Sequence, residues 1–293
     1  PYNIKYWGLG NEVWGPWQIG TTTPKEYARR ASRFIKAMKE VDPSIRIVAV
    51  GHSPLTDDPE EDAAVWNKVV LQQLTEEIDY LSWHIYQPDK ADWREEYDPL
   101  ELHMAVCAAP IDIEMILDRV EKQLKEYAPG KSILQAVDEW NLWLPPREKN
   151  VSMHNVTYTM SDALYAASTL IAFYRHCHTV GMANLAQLVN VLPLIQTDSN
   201  AAIATAMFYP FVLFSQMQST VVRCETICDS FDTQEFSINM GSHKNVPYLD
   251  VLATISEDKS NLSLILVNRY PGNRLHLDLK LGSRGASVKN AMQ

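Results

Sequence analysis

No stretch of this sequence is apolar enough to span a membrane as a helix, and no run is rich in lysine and arginine. Net charge is −10 with a pI near 5.3, so neither nucleic acid nor an anionic membrane surface is an expected partner. Glycine is sparse, 11 of 293 residues, and none of it builds the glycine-rich turn that cradles a dinucleotide. Cysteine is sparser. Cys107, Cys177, Cys224 and Cys228 are scattered, and the last two lack a second ligand pair nearby that would make a zinc knuckle. All four are expected to be reduced and partly buried, which points to a cytoplasmic setting. The N-x-S/T triplets at Asn150, Asn155 and Asn261 are of a kind that arises by chance and matters only on a secretory route. Low-complexity segments are absent.

What is present is an ordinary globular composition, 46% hydrophobic and 21% charged, at a length suited to one large barrel or two smaller domains. Eight Trp and thirteen Tyr, several beside carboxylates, suit a site that stacks on flat, weakly charged ligands such as sugars, although most aromatics simply fill cores. The most informative stretch is Lys131 to Trp143. Ile133, Leu134, Ala136 and Val137 form a short apolar run, bounded by Pro129-Gly130 and Pro145-Pro146, that reads as a parallel strand buried on both faces. The run then changes abruptly to Asp138-Glu139-Trp140-Asn141. Carboxylates at the end of a buried strand are costly unless they cap a helix or do chemistry.

A second stretch has the same character. Ile4 to Leu9 reads as a strand, and Asn11-Glu12 follows it among Trp7, Trp14 and Trp17. Thr23-Pro24-Lys25-Glu26 then predicts a capping box opening a helix, with Tyr27, Ala31, Phe34, Ile35, Met38 and Val41 on one face. The pattern repeats: strands at Ile45–Val50, Ile78–Tyr86, the Glu139 stretch and Ala183–Leu192, and helices at Pro59–Glu77, around Ile113–Tyr127 and at Ser161–His176. A loop containing Trp93, Tyr97 and Pro99 precedes the second last of these helices. Strand–helix alternation of this kind means a parallel sheet. Chemistry-bearing residues at several strand ends fit a (β/α)₈ barrel better than a dinucleotide-binding sheet. Beyond about Thr205 the texture changes. Candidate strands at Tyr248–Ile255 and Asn261–Asn268, and strict alternation over Arg274–Leu281, predict an antiparallel, β-sandwich-like appendage, with Met207–Gln218 as the bridge to it. The expected division is 1–204 for the barrel portion and 205–293 for the β domain.

Glu12 and Glu139 each close a strand and, in a parallel barrel, point into the same mouth. Two facing carboxylates among aromatics are what glycoside hydrolysis needs, one protonated for the leaving oxygen and one ionised for the anomeric carbon. The stretches GLGNEVWGPWQIG (Gly8–Gly20) and VDEWN (Val137–Asn141) resemble the two signature stretches of glycoside hydrolase family 51, mainly α-L-arabinofuranosidases. The likeness continues through YLSWHIY, ANLAQLVNVL (Ala183–Leu192) and YPFVLFSQ (Tyr209–Gln216) and covers most of the chain.

The resemblance implies a retaining hydrolase of the barrel clan whose glutamates lie on the fourth and seventh strands. Glu12 is then the acid/base and Glu139 the nucleophile. Asn11 would bond the hydroxyl beside the anomeric carbon, Tyr86 would position the nucleophile with His84 beside it, Trp143 would border the furanose, and Gln187 would bond its hydroxyls. The wording Trp83-His84-Ile85-Tyr86-Gln87 departs from the family's commonest form, which bears on both His84 and Tyr86; His84 keeps a core-histidine alternative and, separately, Trp143 a packing one. Asp138 is expected to orient a neighbour, and His52 has no assigned role. No His/Asp/Glu cluster shows metal spacing along the chain, and no cofactor is expected.

The leading reading is removal of terminal α-L-arabinofuranosyl residues from plant polysaccharides and oligosaccharides. A related β-xylosidase or endoglucanase, or a non-catalytic carbohydrate-binding remnant, stays open, as does homo-oligomer formation by the complete enzyme. Counting Ile4–Leu9 as the fourth barrel strand predicts a fragment lacking the N-terminal part. Its Ile4 and Ala183 strands would then both have unpaired edges, because five strands cannot close an eight-stranded barrel.

Overall fold

The computed structural model describes residues 2–88, 97–144, 156–272 and 274–280. Trp93, Pro145-Pro146, Asn150, Asn155 and Leu281 lie outside the described residues. Five parallel strands form one curled sheet in chain order: β1 (Tyr6–Gly8), β2 (Arg46–Val50), β3 (Tyr80–Gln87), β4 (Leu134–Leu142) and β5 (Val180–Leu185). Between them run α1 (Pro24–Val41), α2 (Asp62–Leu74), α3 (Pro99–Ala108), α4 (Pro110–Tyr127) and α5 (Met160–Arg175). The alternation read from the sequence is therefore the architecture of this part of the chain.

The core forms where helix stripes meet the sheet. Tyr27, Ala31 and Ile35 of α1, Val70 and Leu71 of α2, and Ile113, Ile116, Leu117 and Val120 of α4 all join one buried cluster with Ile47, Leu81, Val137 and Trp140. Buried polar groups are paired across elements: the Trp83 indole donates to Gln135 Oε1 at 3.0 Å, while Gln135 Nε2 donates to the Leu117 carbonyl at 3.0 Å, tying β3, β4 and α4 together. Trp140 is fully buried and meets Phe173 of α5 edge-on at 5.4 Å; truncating such a side chain to alanine costs about 3–5 kcal/mol. Gly51 is required by close approach, since a Cβ there would lie 2.3 Å from the Ser82 carbonyl.

Several local expectations change. β1 is exposed along its length rather than buried, because it is a sheet edge with β2 as its only strand partner among the described residues. β5 is the opposite edge and ends at Leu185, so Gln187 and Asn190 lie in a loop and not in a strand. That loop is held by Asn141, whose Nδ2 donates to the carbonyls of Ala186 (2.7 Å) and Leu192 (2.9 Å). The loop before α4 contains a further helix, α3, capped by the Asp98 carboxylate on the amides of Leu100 and Glu101. At α1 Thr23 accepts from the Glu26 amide at 3.4 Å, but the Glu26 carboxylate bonds Arg29 and Arg30 instead of closing the box. Cys177, Cys224 and Cys228 are exposed and only Cys107 is buried; all four are free thiols.

After β5 come the hairpin β6 (Ile195–Thr197) and β7 (Ala202–Ala204), the helix α6 (Phe208–Phe214), and the strands β8 (Thr220–Val222), β9 (Ser230–Phe231), β10 (Val246–Pro247), β11 (Leu249–Ile255) and β12 (Leu262–Asn268). β8, β11 and β12 form an antiparallel sheet with β11 in the middle, and β9 pairs with β10. Leu252, Ile265 and Val267 of that sheet pack on Ala167 and Ile171 of α5 and on Phe214. Residues 274–280 form no strand, against the alternation of their leucines: Leu277 and Leu279 are exposed, and no described strand pairs with them. Alternation reports one wet face, but a ladder also needs a partner.

Candidate functional site

The C-terminal ends of β1, β3 and β4 bring Glu12, His84, Tyr86 and Glu139 together. Glu12 sits in the turn after β1 with φ of +45°, in the left-handed region, and its carbonyl accepts from the Gly15 amide at 2.7 Å. Such a backbone costs a non-glycine residue about 1 kcal/mol or more and persists where the surroundings over-determine it. Gly10, with φ of +108°, begins the turn, and a Cβ there would meet Val13 at 3.3 Å.

One Glu12 oxygen, Oε1, lies 2.9 Å from His84 Nδ1. The other accepts from the Trp17 indole at 3.0 Å and from Gln18 Nε2 at 3.4 Å. His84 is nine-tenths buried and lies in β3 beside Glu139 in the β3–β4 register. Its Nδ1 is 3.6 Å from Glu139 Oε2, and its Nε2 is 3.2 Å from Asp138 Oδ1. The Asp138 approach is close but poorly aligned as a hydrogen bond. Glu139 Oε2 accepts from the Tyr86 hydroxyl at 2.8 Å, and Trp143 stands edge-on to the Tyr86 ring at 5.5 Å.

Charge in the cluster is unequally shared. Burial works against a charged His84, yet its contacts with Asp138 and Glu12 and the nearby Glu139 outweigh burial and lift its pKa to about 9. The His84 hydrogen bond is the main reason that Glu12 falls to about 2; burial opposes this, and the Trp17 and Gln18 bonds add to it. At neutral pH this state therefore has an ionised Glu12 beside an imidazolium. Burial, first, and then the bond to Glu139 push the Tyr86 phenol upward. His52 stacks on Trp14 with ring centroids 3.7 Å apart, and burial lowers it to about 4, so it is neutral.

Glu12, His84 and Glu139 each offer a donor atom within 4.8 Å of the others, close enough to surround an ion. The chain spacing hides this because the three arrive from the turn after β1, from β3 and from β4. Within the cluster Glu12 Oε1 faces His84 Nδ1, and Glu139 Oε2 faces the Tyr86 hydroxyl. Of the residues singled out from the sequence, Glu12, His84, Tyr86, Glu139 and Trp143 meet here. Asn11 and Gln187 are exposed, and no side-chain contact joins them to the cluster among the described residues. Trp17 and Gln18, which hold Glu12, were not singled out as site residues, although both lie inside the signature stretch that was.

Two family models match the chain. The one described as the alpha-L-arabinofuranosidase C-terminal domain covers residues 138–291, and the one described as the alpha-L-arabinofuranosidase 1 domain covers residues 1–101. A protein named probable alpha-L-arabinofuranosidase C from Aspergillus fumigatus is 33% identical over 273 residues, spanning 88% of this chain and 51% of that protein. An intracellular exo-alpha-(1->5)-L-arabinofuranosidase from Halalkalibacterium halodurans is 32% identical over 294 residues, 97% of this chain and 56% of that one. Among solved structures, the alpha-L-arabinofuranosidase of Thermotoga maritima in an arabinose complex superposes with a TM-score of 0.69 at 33% identity, over 92% of this chain and 52% of that one. A GH51 alpha-L-arabinofuranosidase from Thermotoga petrophila has the same TM-score, 0.69, the same identity, 33%, and the same coverage, 92% and 52%. The chain spans about half the length of the curated relatives it matches.

Proposed function

Because the chain belongs to glycoside hydrolase family 51, the α-L-arabinofuranosidases, we propose that it carries the reaction centre of a retaining hydrolase that removes terminal α-L-arabinofuranosyl residues from plant polysaccharides and oligosaccharides. The observation that carries this is the approach of the Glu12 and Glu139 carboxylates, from the turn after β1 and from β4, to within 4.8 Å. A retaining pair needs about 5–5.5 Å, whereas an inverting pair leaves room for a water at about 6.5–9.5 Å.

In this reading Glu139 attacks the anomeric carbon while the glycosidic oxygen leaves with a proton from Glu12. Water, deprotonated by Glu12, then attacks the same carbon and releases arabinose and free Glu139. Tyr86 holds the attacking oxygen of Glu139. His84 Nδ1, 2.9 Å from Glu12 Oε1, is the group placed to exchange a proton with Glu12 as it cycles between acid and base. Asn11 and Gln187 reach the sugar hydroxyls, and Trp143 borders the furanose.

The five parallel strands are strands four to eight of a (β/α)₈ barrel, with residues 1–204 as its part of the chain and residues 205–293 as a β domain. Four free thiols, and bacterial relatives named as intracellular enzymes, support a cytoplasmic location.

The test is kinetic. Glu139→Ala abolishes turnover of every substrate. Glu12→Ala spares aryl arabinofuranosides with good leaving groups, and azide restores its rate with retained configuration. Retained azide product from the Glu139 variant instead would reverse the roles, and preferential cleavage of aryl xylosides or glucosides would replace the sugar.

A further inference from the structure

The segment joining β9 to β10, residues 232–245, belongs in sequence to the C-terminal part of the chain but reaches the end of β3. Its base is closed by the pairing of Val246 with Phe231 and by the Thr233 amide on the His243 carbonyl at 2.8 Å. Asp112, in the first turn of α4, anchors its flank: Asp112 Oδ2 lies 2.9 Å from His243 Nε2 and accepts from the Gly241 amide at 3.2 Å. At the tip the Met240 amide donates to the Ser237 carbonyl at 3.0 Å, closing a tight turn.

Within that turn Asn239 is buried. Its Nδ2 donates to the Tyr86 carbonyl at 2.8 Å, and its own carbonyl accepts from Gln87 Nε2. Gln87 is fully buried and is held again by the Ala109 carbonyl and the Tyr165 hydroxyl. The last two residues of β3 are thus clamped from a segment more than 150 positions along the chain. Tyr86 carries this clamp on its backbone and Glu139 on its hydroxyl.

We infer that Asn239 is a positioning residue: through the Tyr86 carbonyl it fixes the end of β3 so that the Tyr86 hydroxyl rests on Glu139. The inference rests on the reading of Glu139 as nucleophile for its catalytic consequence, but not for its geometry. A hydrogen bond on the Tyr86 carbonyl fixes the backbone from which its side chain springs, and a misplacement of about 1 Å at an attacking carboxylate can cost about a hundredfold in rate. Asn239 and the β9–β10 segment would then make the C-terminal part a component of the reaction centre and not merely a neighbour.

The experiment has a geometric arm and a kinetic arm, on the wild-type chain, Asn239→Asp (similar in shape, with no amide donor) and Asn239→Ser. In protein labelled with ¹³Cζ-tyrosine, the Tyr86 resonance, assigned from Tyr86→Phe, moves in both Asn239 variants. In the Glu139→Gln background the same substitutions move it by less than half as much. In hydrolysis of an aryl α-L-arabinofuranoside, Asn239→Asp lowers kcat by about tenfold with KM within about twofold, and by less than about twofold once Tyr86→Phe is present. An unmoved Tyr86 resonance in folded variants, or full additivity with Tyr86→Phe, overturns the inference. If the wild-type protein hydrolyses no arabinofuranoside, the proposed function fails while the resonance arm still decides the role of Asn239.

Discussion

His84 meets carboxylates from β4 and from the turn after β1, and that convergence sets how the site answers to pH. Its folded pKa of about 9 lies above the ordinary 6.5, so the stability it contributes is fully present below about 6.5 and is lost as pH rises through about 9. Glu12 runs the other way: its folded value of about 2 lies below the ordinary 4.5, so its contribution is present above about 4.5 and is lost as pH falls through about 2. The Tm advantage of the wild-type protein over His84→Gln should therefore peak between about pH 4.5 and 6.5, and shrink toward both extremes. A difference that is flat from pH 4 to 10 would show that His84 does not carry the charge. The two glutamates were legible because each stands with aromatics near the C-terminal end of a strand, Glu12 in the turn beyond β1 and Glu139 within the last residues of β4. His84 and Tyr86 needed the family resemblance as well. Asn239 was illegible, because an asparagine in a polar turn looks like any other and its partner is remote in sequence.

Single elements were read best where one face is buried over several turns. α1 and α4 followed from apolar spacing, and β2, β3 and β4 from short apolar runs ending in polar residues. The failures lie at sheet edges. Residues 186–192 look apolar enough to continue β5, but among the described residues no further strand lies beside β5 to pair with them, and Leu188 and Val189 end exposed. The leucines of 274–280 alternate without a ladder for the same reason. Caps were half legible. The Thr23 hydroxyl engages as its position suggests, while Glu26 is drawn to Arg29 at 2.7 Å and Arg30 at 2.6 Å, a choice that sequence alone does not decide. Thr23→Ala should cost about 1 kcal/mol in chemical denaturation, because it leaves the Glu26 amide without its cap. Glu26→Gln should cost much less, since its ion pairs are solvent-exposed. Equal losses from the two would mean that the reciprocal box forms in solution.

At the scale of the whole molecule, the sheet has two free sides. β1 pairs only with β2 and β5 only with β4 among the described residues. Beside these edges Ile4, Tyr6 and Trp7 are 56%, 55% and 42% exposed, and Leu188 and Val189 are 56% and 42% exposed. Unpaired backbone flanked by large apolar side chains is a template for another chain. The relatives that this chain matches are about twice as long, and in the barrel reading their additional strands occupy the interval between the two edges. The 293-residue chain by itself should therefore associate in a concentration-dependent way and turn over arabinofuranosides only feebly. Sedimentation at low and high micromolar concentration measures the first, and aryl arabinofuranoside assays the second. Charge placed at the edges, as in Trp7→Lys with Val189→Lys, should reduce association without lowering Tm by more than about 1 kcal/mol equivalent, because both side chains are substantially exposed. A chain that stays monomeric at high concentration and cleaves at a rate like that of its longer relatives would mean that the two edges close on each other in solution, and that the count of five strands out of eight is wrong.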